Sequence, residues 1–487
     1  MDGSSSPNGC AGGAILSDQM SLTADSPAHS SSSDDFAAFL EAELDTASGT
    51  SSELEEETEE EKDDKEQDEN NDPGEDGDPK DSSNSARVKR RKVGNYIGSG
   101  DPHGSSKSRG ERGGVSVEME MCTHPGVIGG MCIRCGQHLE NESGVSFGYI
   151  HRNLRLASDE VARLREKDLK NLLQRKKLYL VLDLDHTLLN STRLFDISAE
   201  EEYLKDAIPD ALKGSFFRLD RIHMMTKLRP YVHNFLNEAS ELFEMYIYTM
   251  GERPYALEMA KLLDPRDVYF HSKVIAQGDS TQRHLKGLDI VLGQESSVLI
   301  LDDTEAVWGK HKENLILVAR YHFFSSSVRQ FGFDCKSLSQ RQIDESEEEG
   351  ALVAILKILK QIHSLFFDLK QGDDLLKSDV REVLKGVRKE VLKGCKIVFS
   401  RVFPNNIQAE KHHLWRIAEQ LGATCSIEVD ESVTHVVSMD AGTEKSRWAR
   451  QNKKFLVHPK WIEAANYRFE RKPEKDFPVV VPEVASS

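Results

Sequence analysis

The residues richest in chemistry are Asp183-Leu184-Asp185-His186-Thr187, closing an apolar run that starts at Leu178. Two carboxylates one residue apart repel each other unless a cation neutralises them, and hard oxygen donors of this kind suit Mg²⁺. A hydroxyl with nearby backbone amides follows a second apolar run at Thr249-Met250-Gly251, where it suits a phosphate oxygen. A third run, 297–301, ends in Asp302-Asp303, and Lys286 lies between the second and third. A single aspartate after a strand is an ordinary acidic turn. Polar groups of matching chemistry at the ends of three separate runs are not accounted for that way.

Short apolar, branched runs read as buried strands of a parallel sheet. Right-handed crossovers bring the carboxyl ends of such strands to one edge, where ligands of open α/β sheets collect. The connecting elements fit that plan. A helix is predicted from Ser158 as N-cap, with Val161, Leu164, Leu169, Leu172 and Leu173 on one stripe. Residues 190–226 read as an insertion with an acidic helical piece over 200–212, followed by Phe216-Phe217-Arg218-Leu219. Lys227-Leu228-Arg229-Pro230 then opens a helix with Pro230 in its first turn, residues 254–263 form another, and Lys286 falls in a helical stretch.

The chain has 487 residues, of which 30% are charged and 38% hydrophobic, with a net charge of −19. Much of that charge sits in the acidic tract 53–78, and residues 1–117, rich in Ser, Gly, Asp and Glu, are expected to be disordered. No apolar run approaches the about 20 residues that span a membrane, and the N-terminus is not a basic-then-apolar leader. Seven scattered cysteines point to a reducing compartment rather than a disulfide framework.

Within the tail, Phe36, Phe39, Leu40 and Leu44 share one helical face behind Ser33, either a partner-docking segment or a transient helix. Arg87-Val88-Lys89-Arg90-Arg91-Lys92 fits a nuclear import signal or a nucleic-acid contact, and the overall acidity makes direct DNA binding the weaker choice. In the segment 118–150, the Cys132-x₂-Cys135 turn closed by Gly136 is half of a zinc site, and Cys122 with His124 could supply the other half. A short cysteine-containing turn without metal is the alternative.

Asp-Leu-Asp-His-Thr, Tyr-Thr-Met-Gly, Lys286 and Leu-Asp-Asp together resemble the haloacid-dehalogenase superfamily of aspartyl-phosphate enzymes. Lys-Leu-Arg-Pro-Tyr-Val, Tyr-Thr-Met-Gly-Glu-Arg-Pro-Tyr-Ala and Asp-Asp-Thr-Glu-Ala-Val-Trp narrow this. They are similar to the FCP-type phosphatases of the RNA polymerase II C-terminal domain, in the form of its plant branch, and the resemblance runs over about 155–480. It implies a Rossmannoid parallel α/β catalytic domain over 155–335, with Asp183 as nucleophile and Asp185 as general acid and base. Mg²⁺, or another divalent ion such as Mn²⁺, would be held by Asp183, the Asp185 carbonyl, Asp302 and Asp303. Lys286 and Thr249 would offset phosphoryl charge, with Thr187 and Lys273 as further groups near the substrate phosphate. Two positions depart from the family pattern: His186 stands where relatives often carry Gln or Glu, and Lys273 where they can carry Arg, whose bidentate fork Lys lacks.

Residues 336–390 form a charged helical linker packing on one or both domains. Residues 391–483 follow the order strand, helix 409–421, strand 434–437, helix 445–451, strand 455–457 and a last helix holding Trp461, similar to a small α/β BRCT domain. Ser400, Thr443 and Lys445 fall where phosphopeptide-binding relatives hold a phosphate, with a purely structural role as the preferred reading. The expected activity is a nuclear Mg²⁺-dependent serine/threonine phosphatase acting on the phosphorylated heptad repeats of the polymerase's largest subunit, with general transcription factors at the N-terminal segment. A small-molecule phosphatase and a catalytically weak phosphoprotein scaffold are the rivals.

Overall fold

The described chain opens on a small antiparallel sheet. Strand β1 (Gly126–Ile128) lies between β2 (Met131–Cys132) and β4 (Leu154–Leu156), with β3 (Val145–Ser146) outside β4. The computed structural model describes residues 122–139, 144–206, 212–368, 373–404 and 408–480. The acidic tail, the amphipathic segment around Phe36 and the basic run from Arg87 lie outside the described residues.

Helix α1 (Ser158–Gln174) leads into β5 (Leu178–Leu182). Its N-cap is Ala157 rather than Ser158, which is instead the first helical residue, with no side-chain cap bond. An antiparallel sheet follows, β6 (Leu189–Arg193), β7 (Phe216–Leu219) and β8 (Met224–Leu228), in the order β6-β8-β7. Lys227 and Leu228 therefore end a strand, paired with Asn190 and Leu189, and do not open a helix. Tyr231, at φ 69, breaks the chain direction before helix α2 (Val232–Leu242). Then come β9 (Phe243–Tyr248), α3 (Arg253–Leu263), β10 (Val274–Ile275), β11 (Val298–Asp302) and β12 (Leu315–Leu317). Lys286 lies on an irregular loop just before the short turn Leu288–Ile290, not in a helix, because its amide bonds to the Val307 carbonyl rather than to its own segment.

The principal sheet is parallel, in the order β10-β9-β5-β11-β12, with β5 at its centre. Alternate residues of each strand feed two cores, which explains the near-continuous apolar runs. Leu178, Leu180 and Leu182 pack with Met245, Ile247 and Leu301 under α2, α3 and α4 (Ala351–Asp368). Tyr179, Val181, Tyr246 and Ile300 face the other way, where Phe147 and Tyr149 of the β3–β4 connection and Leu154 and Leu156 of β4 cover them. The segment 144–156 is thus part of the parallel domain's own core.

Helix α4 buries Leu352, Ile355, Leu359 and Ile362 in the first core, and α5 (Val380–Val391) adds Leu384 and Val387. The second sheet, also parallel, contains β13 (Lys396–Ser400), β14 (Thr424–Ser426), β15 (His435–Ser438) and β16 (Phe455–Val457) in the order β14-β13-β15-β16. Strand β14 is not legible in the sequence, since Thr-Cys-Ser carries no apolar alternation. Helices α6 (His413–Gln420), α7 (Glu444–Gln451) and α8 (Lys460–Arg468) complete this unit. Trp461 is fully buried, stacks on His435 at 4.7 Å and donates its indole N–H to the Lys472 carbonyl at 2.8 Å. Arg468 bonds to the Glu349 carbonyl at 2.6 Å, tying α8 to the residues just before α4.

Candidate active site

Asp183 directly follows β5, Thr249 follows β9, and Asp302 ends β11. In a parallel sheet these strands point the same way, so the three ends share one edge. The carboxylate oxygens of Asp183, Asp302 and Asp303 lie within 4.8 Å of one another, all buried. Lys286 reaches in from its loop and donates to Asp183 Oδ1 and Asp302 Oδ2, each at 2.6 Å. Its ammonium also stands 5.9 Å from the Tyr248 ring and 5.5 Å from that of Trp308, so two carboxylates and two aromatic faces hold it. Trp308 donates its indole N–H to Asp302 Oδ2 at 2.8 Å, and the Thr304 amide bonds to Oδ1 at 2.8 Å. Arg320 Nε meets Asp303 Oδ2 at 2.6 Å. Thr187 is fully buried, with its hydroxyl 3.5 Å from Asp303 Oδ1.

Charge is unbalanced in this cluster. Burial and then Asp302 push the Asp183 carboxyl well above its ordinary range, against the pull of Lys286. Burial likewise raises Asp302, with Lys286 opposing. Burial alone would push Lys286 down, but Asp183 and Asp302 outweigh it and hold the ammonium above its usual value. Three hard oxygen donors short of positive charge form the donor set a divalent cation takes.

Asp185 faces a different neighbour. Its Oδ1 accepts the Tyr255 hydroxyl at 2.5 Å, and that hydroxyl lies 2.8 Å from Ser191 Oγ. Burial raises the Asp185 carboxyl, with the Tyr255 bond opposing. A Cβ at Gly251 would stand 2.7 Å from Tyr255 Cδ1, so glycine is required for the ring to reach this position. The Gly251 amide donates to Thr249 Oγ1 at 2.9 Å. Beneath the motif, fully buried Arg229 bonds to the Thr187 carbonyl at 3.0 Å and grips Glu345 at 2.9 and 2.7 Å.

Most of the site residues expected from the sequence lie on this edge; Lys273 does not. Its ammonium pairs with Glu244 at 3.1 Å, at the start of β9, pointing along the sheet away from the strand ends. His186 adopts φ 63 and packs on Phe331 at 5.0 Å. Sequence reasoning passed over Tyr255, Trp308, Arg320 and Arg229. Tyr255, Trp308 and Arg229 lie inside the family-like motifs without an assigned role; Arg320 has no local signal at all.

Two other candidate groups lie elsewhere. Cys122, His124, Cys132 and Cys135 converge at the opening sheet. In the second unit, Ser400 Oγ bonds to Thr443 Oγ1 at 2.8 Å, and Thr443 caps α7 by accepting the Ser446 amide at 3.1 Å. Lys445 instead bonds to the Ile427 carbonyl at 2.6 Å.

Residues 178–332 match the family model of NLI interacting factor-like phosphatases, and 387–465 match that of the BRCA1 C Terminus (BRCT) domain. The RNA polymerase II C-terminal domain phosphatase-like 4 of Arabidopsis thaliana is 55% identical over 465 residues, covering 94% of this chain and 97% of that protein. This chain belongs to the RNA polymerase II C-terminal domain phosphatase family. A second relative in that family, phosphatase-like 3 of the same plant, is 43% identical over 64% of this chain but only 26% of its own length. A solved structure described as Fcp1, an essential RNA polymerase II CTD phosphatase, superposes with a TM-score of 0.54 at 25% identity, over 65% of this chain and all of that one. The family is one of haloacid-dehalogenase-type phosphatases, so this chain is an enzyme that uses a divalent metal, and the Asp183, Asp302 and Asp303 donor set fits that requirement. Among the described residues, no helix is long and apolar enough to cross a membrane.

Proposed function

We propose that this chain removes phosphate from phosphoserines in the heptad repeats of the RNA polymerase II tail, through an aspartyl-phosphate on Asp183. The observation carrying this reading is the buried Asp183, Asp302 and Asp303 cluster with Lys286 bonded to two of its members. Asp183 supplies the attacking carboxylate oxygen; its bond to phosphorus forms as the bond to the serine oxygen breaks. Asp185 gives its proton to the departing serine oxygen and later takes one from the water that releases phosphate and restores Asp183. A carboxyl raised by burial is suited to hold that proton until it is needed, and Tyr255 steadies the carboxylate left behind. Lys286 and Thr249 offset charge on the transferring group, with Thr187 beside them. Mg²⁺, held by Asp183, Asp302 and Asp303, would shield the nucleophile from the phosphate charge when bound.

Such a substrate places the enzyme in the nucleus, and the basic run from Arg87 is compatible with import. The N-terminal amphipathic segment would dock general transcription factors. Ser400 and Thr443 serve structure, because their hydroxyls are already spent on each other and on the α7 cap.

The test is phosphate release from phosphorylated heptad peptides with Mg²⁺ and with EDTA, for wild type and Asp183→Asn. Metal-dependent release, lost in the variant, supports the reading, and peptides phosphorylated at different serines rank its preference. Cleavage of an aryl phosphate but of no peptide would overturn the substrate and keep the chemistry. No release from either would leave a phosphoprotein scaffold.

A further inference from the structure

A second convergence of metal-ligating side chains lies outside the phosphatase site. In Cys132-Ile133-Arg134-Cys135-Gly136, the Gly136 amide bonds to the Cys132 carbonyl at 2.9 Å, closing a tight turn, and Gly136 takes φ 74. The Arg134 amide points at Cys132 Sγ, 3.4 Å away. The β1–β2 pairing sets Val127 opposite Cys132 and so brings the stretch before β1 against this turn. His124 is held at φ 50 directly before Pro125, a left-handed backbone that few non-glycine residues adopt. That conformation directs its Nδ1 to within 3.5 Å of Cys135 Sγ. Cys122 Sγ lies 3.8 Å from Cys132 Sγ, and all four ligand atoms fall within 4.8 Å of one another.

The Cys122–Cys132 and His124–Cys135 separations are those of tetrahedron edges, and the remaining ligand atoms lie close enough to share one ion. With Zn–S of about 2.3 Å and Zn–N of about 2.1 Å, a tetrahedral angle sets two sulfurs about 3.8 Å apart and a sulfur and a nitrogen about 3.6 Å apart. We infer that Cys122, His124, Cys132 and Cys135 bind one Zn²⁺ in a closed Cys₃His site. Four protein ligands leave no open position, so the site is structural. The strands it joins are only two or three residues long, too short to hold a sheet together by pairing alone. The connection between β3 and β4 of this sheet seats Phe147 and Tyr149 on the second core, and the Tyr149 hydroxyl bonds to the Ile290 carbonyl at 2.8 Å, four residues beyond Lys286. Zinc would therefore anchor a cover over the sheet face beside the loop that delivers Lys286. The site stands independently of what the aspartates do.

The decisive measurement is zinc content of the purified full chain, followed by exchange with Co²⁺. One zinc per chain is expected, retained in Asp183→Asn and lost in the double variant Cys132→Ser/Cys135→Ser. Bound Co²⁺ should show tetrahedral ligand-field bands and thiolate-to-metal charge transfer, which a carboxylate site cannot produce. A folded wild-type chain with no zinc and no charge-transfer band on adding Co²⁺ overturns the assignment, as does full zinc retention in the double variant. Should that variant fail to fold, the wild-type Co²⁺ spectrum decides alone.

Discussion

Tyr255→Phe isolates one hydrogen bond at the heart of the proposed chemistry. The hydroxyl donates to Asp185 Oδ1 at 2.5 Å in a buried setting, while phenylalanine keeps the ring and nearly the same volume. Ser191 retains its 2.9 Å bond to Thr226, so no second donor is stranded by the change. A hydrogen bond to a charged partner contributes about 1.5–3 kcal/mol, which corresponds to a roughly 10- to 150-fold loss in the step where Asp185 gives up its proton. The same bond lowers the Asp185 pKa, so its removal moves the alkaline limb of the rate profile to higher pH. The assay is phosphate release from an aryl phosphate across pH, with wild type, Tyr255→Phe, Asp185→Asn and the double variant. If Tyr255 acts through Asp185, the Tyr255→Phe effect should nearly vanish once Asp185 is Asn. An equal slowing in both backgrounds would refute the reasoning, as would a kcat unchanged in a folded Tyr255→Phe protein.

Three further expectations concern stability. Without divalent metal, Lys286→Met leaves Asp183 and Asp302 buried and unpaired, costing about 3–5 kcal/mol in urea unfolding. Both carboxyls are already raised on folding, so the deficit is greatest above their raised values and shrinks as pH falls toward the ordinary carboxylate range; a pH-independent deficit would contradict this. Glu201 is fully buried and accepts from the Ser325 amide at 2.8 Å and from Ser198 Oγ at 2.7 Å, so Glu201→Ala should cost about 3 kcal/mol. Burial would raise that carboxyl, but the serine bonds outweigh it and hold it low, so the contribution is present above the unfolded value and lost as pH falls; unfolding curves of wild type and variant should converge in acid. Thr443→Ala removes the α7 cap and should cost about 1 kcal/mol, with Thr443→Ser recovering most of it; equal melting of the Ala and Ser variants would remove the cap from the account.

The strands and their chemistry were legible because they are local. Leu178 to Leu182 and Val298 to Leu301 announce themselves by an unbroken apolar run and Phe243 to Tyr248 by one interrupted only at Glu244, and the polar residues at their ends need no partner to be recognised. Lys227 reads as a helix start because Pro230 follows three residues later, whereas its strand partner, Asn190, is distant in sequence. Lys286 sits in a stretch that reads as helical but forms a loop, and a loop held by the Val307 carbonyl leaves no periodic trace.

Local pattern alone marks three strand ends carrying Asp183, Asp185, Thr249, Asp302 and Asp303, and the motifs in their order carry the resemblance to a phosphatase fold followed by a BRCT domain. Alternation and turn chemistry are short-range properties, written within a few residues of where they act. Packing of the whole chain sets the rest: Lys286 bridges to Asp183 across 103 residues, Tyr255 bonds to Asp185, and Lys273 turns away to Glu244. It also decided that the residues around Phe147 cover one face of the catalytic sheet. Those contacts depend on loop torsions and on which surfaces exclude water together, and such long-range choices are settled by packing the whole chain at once.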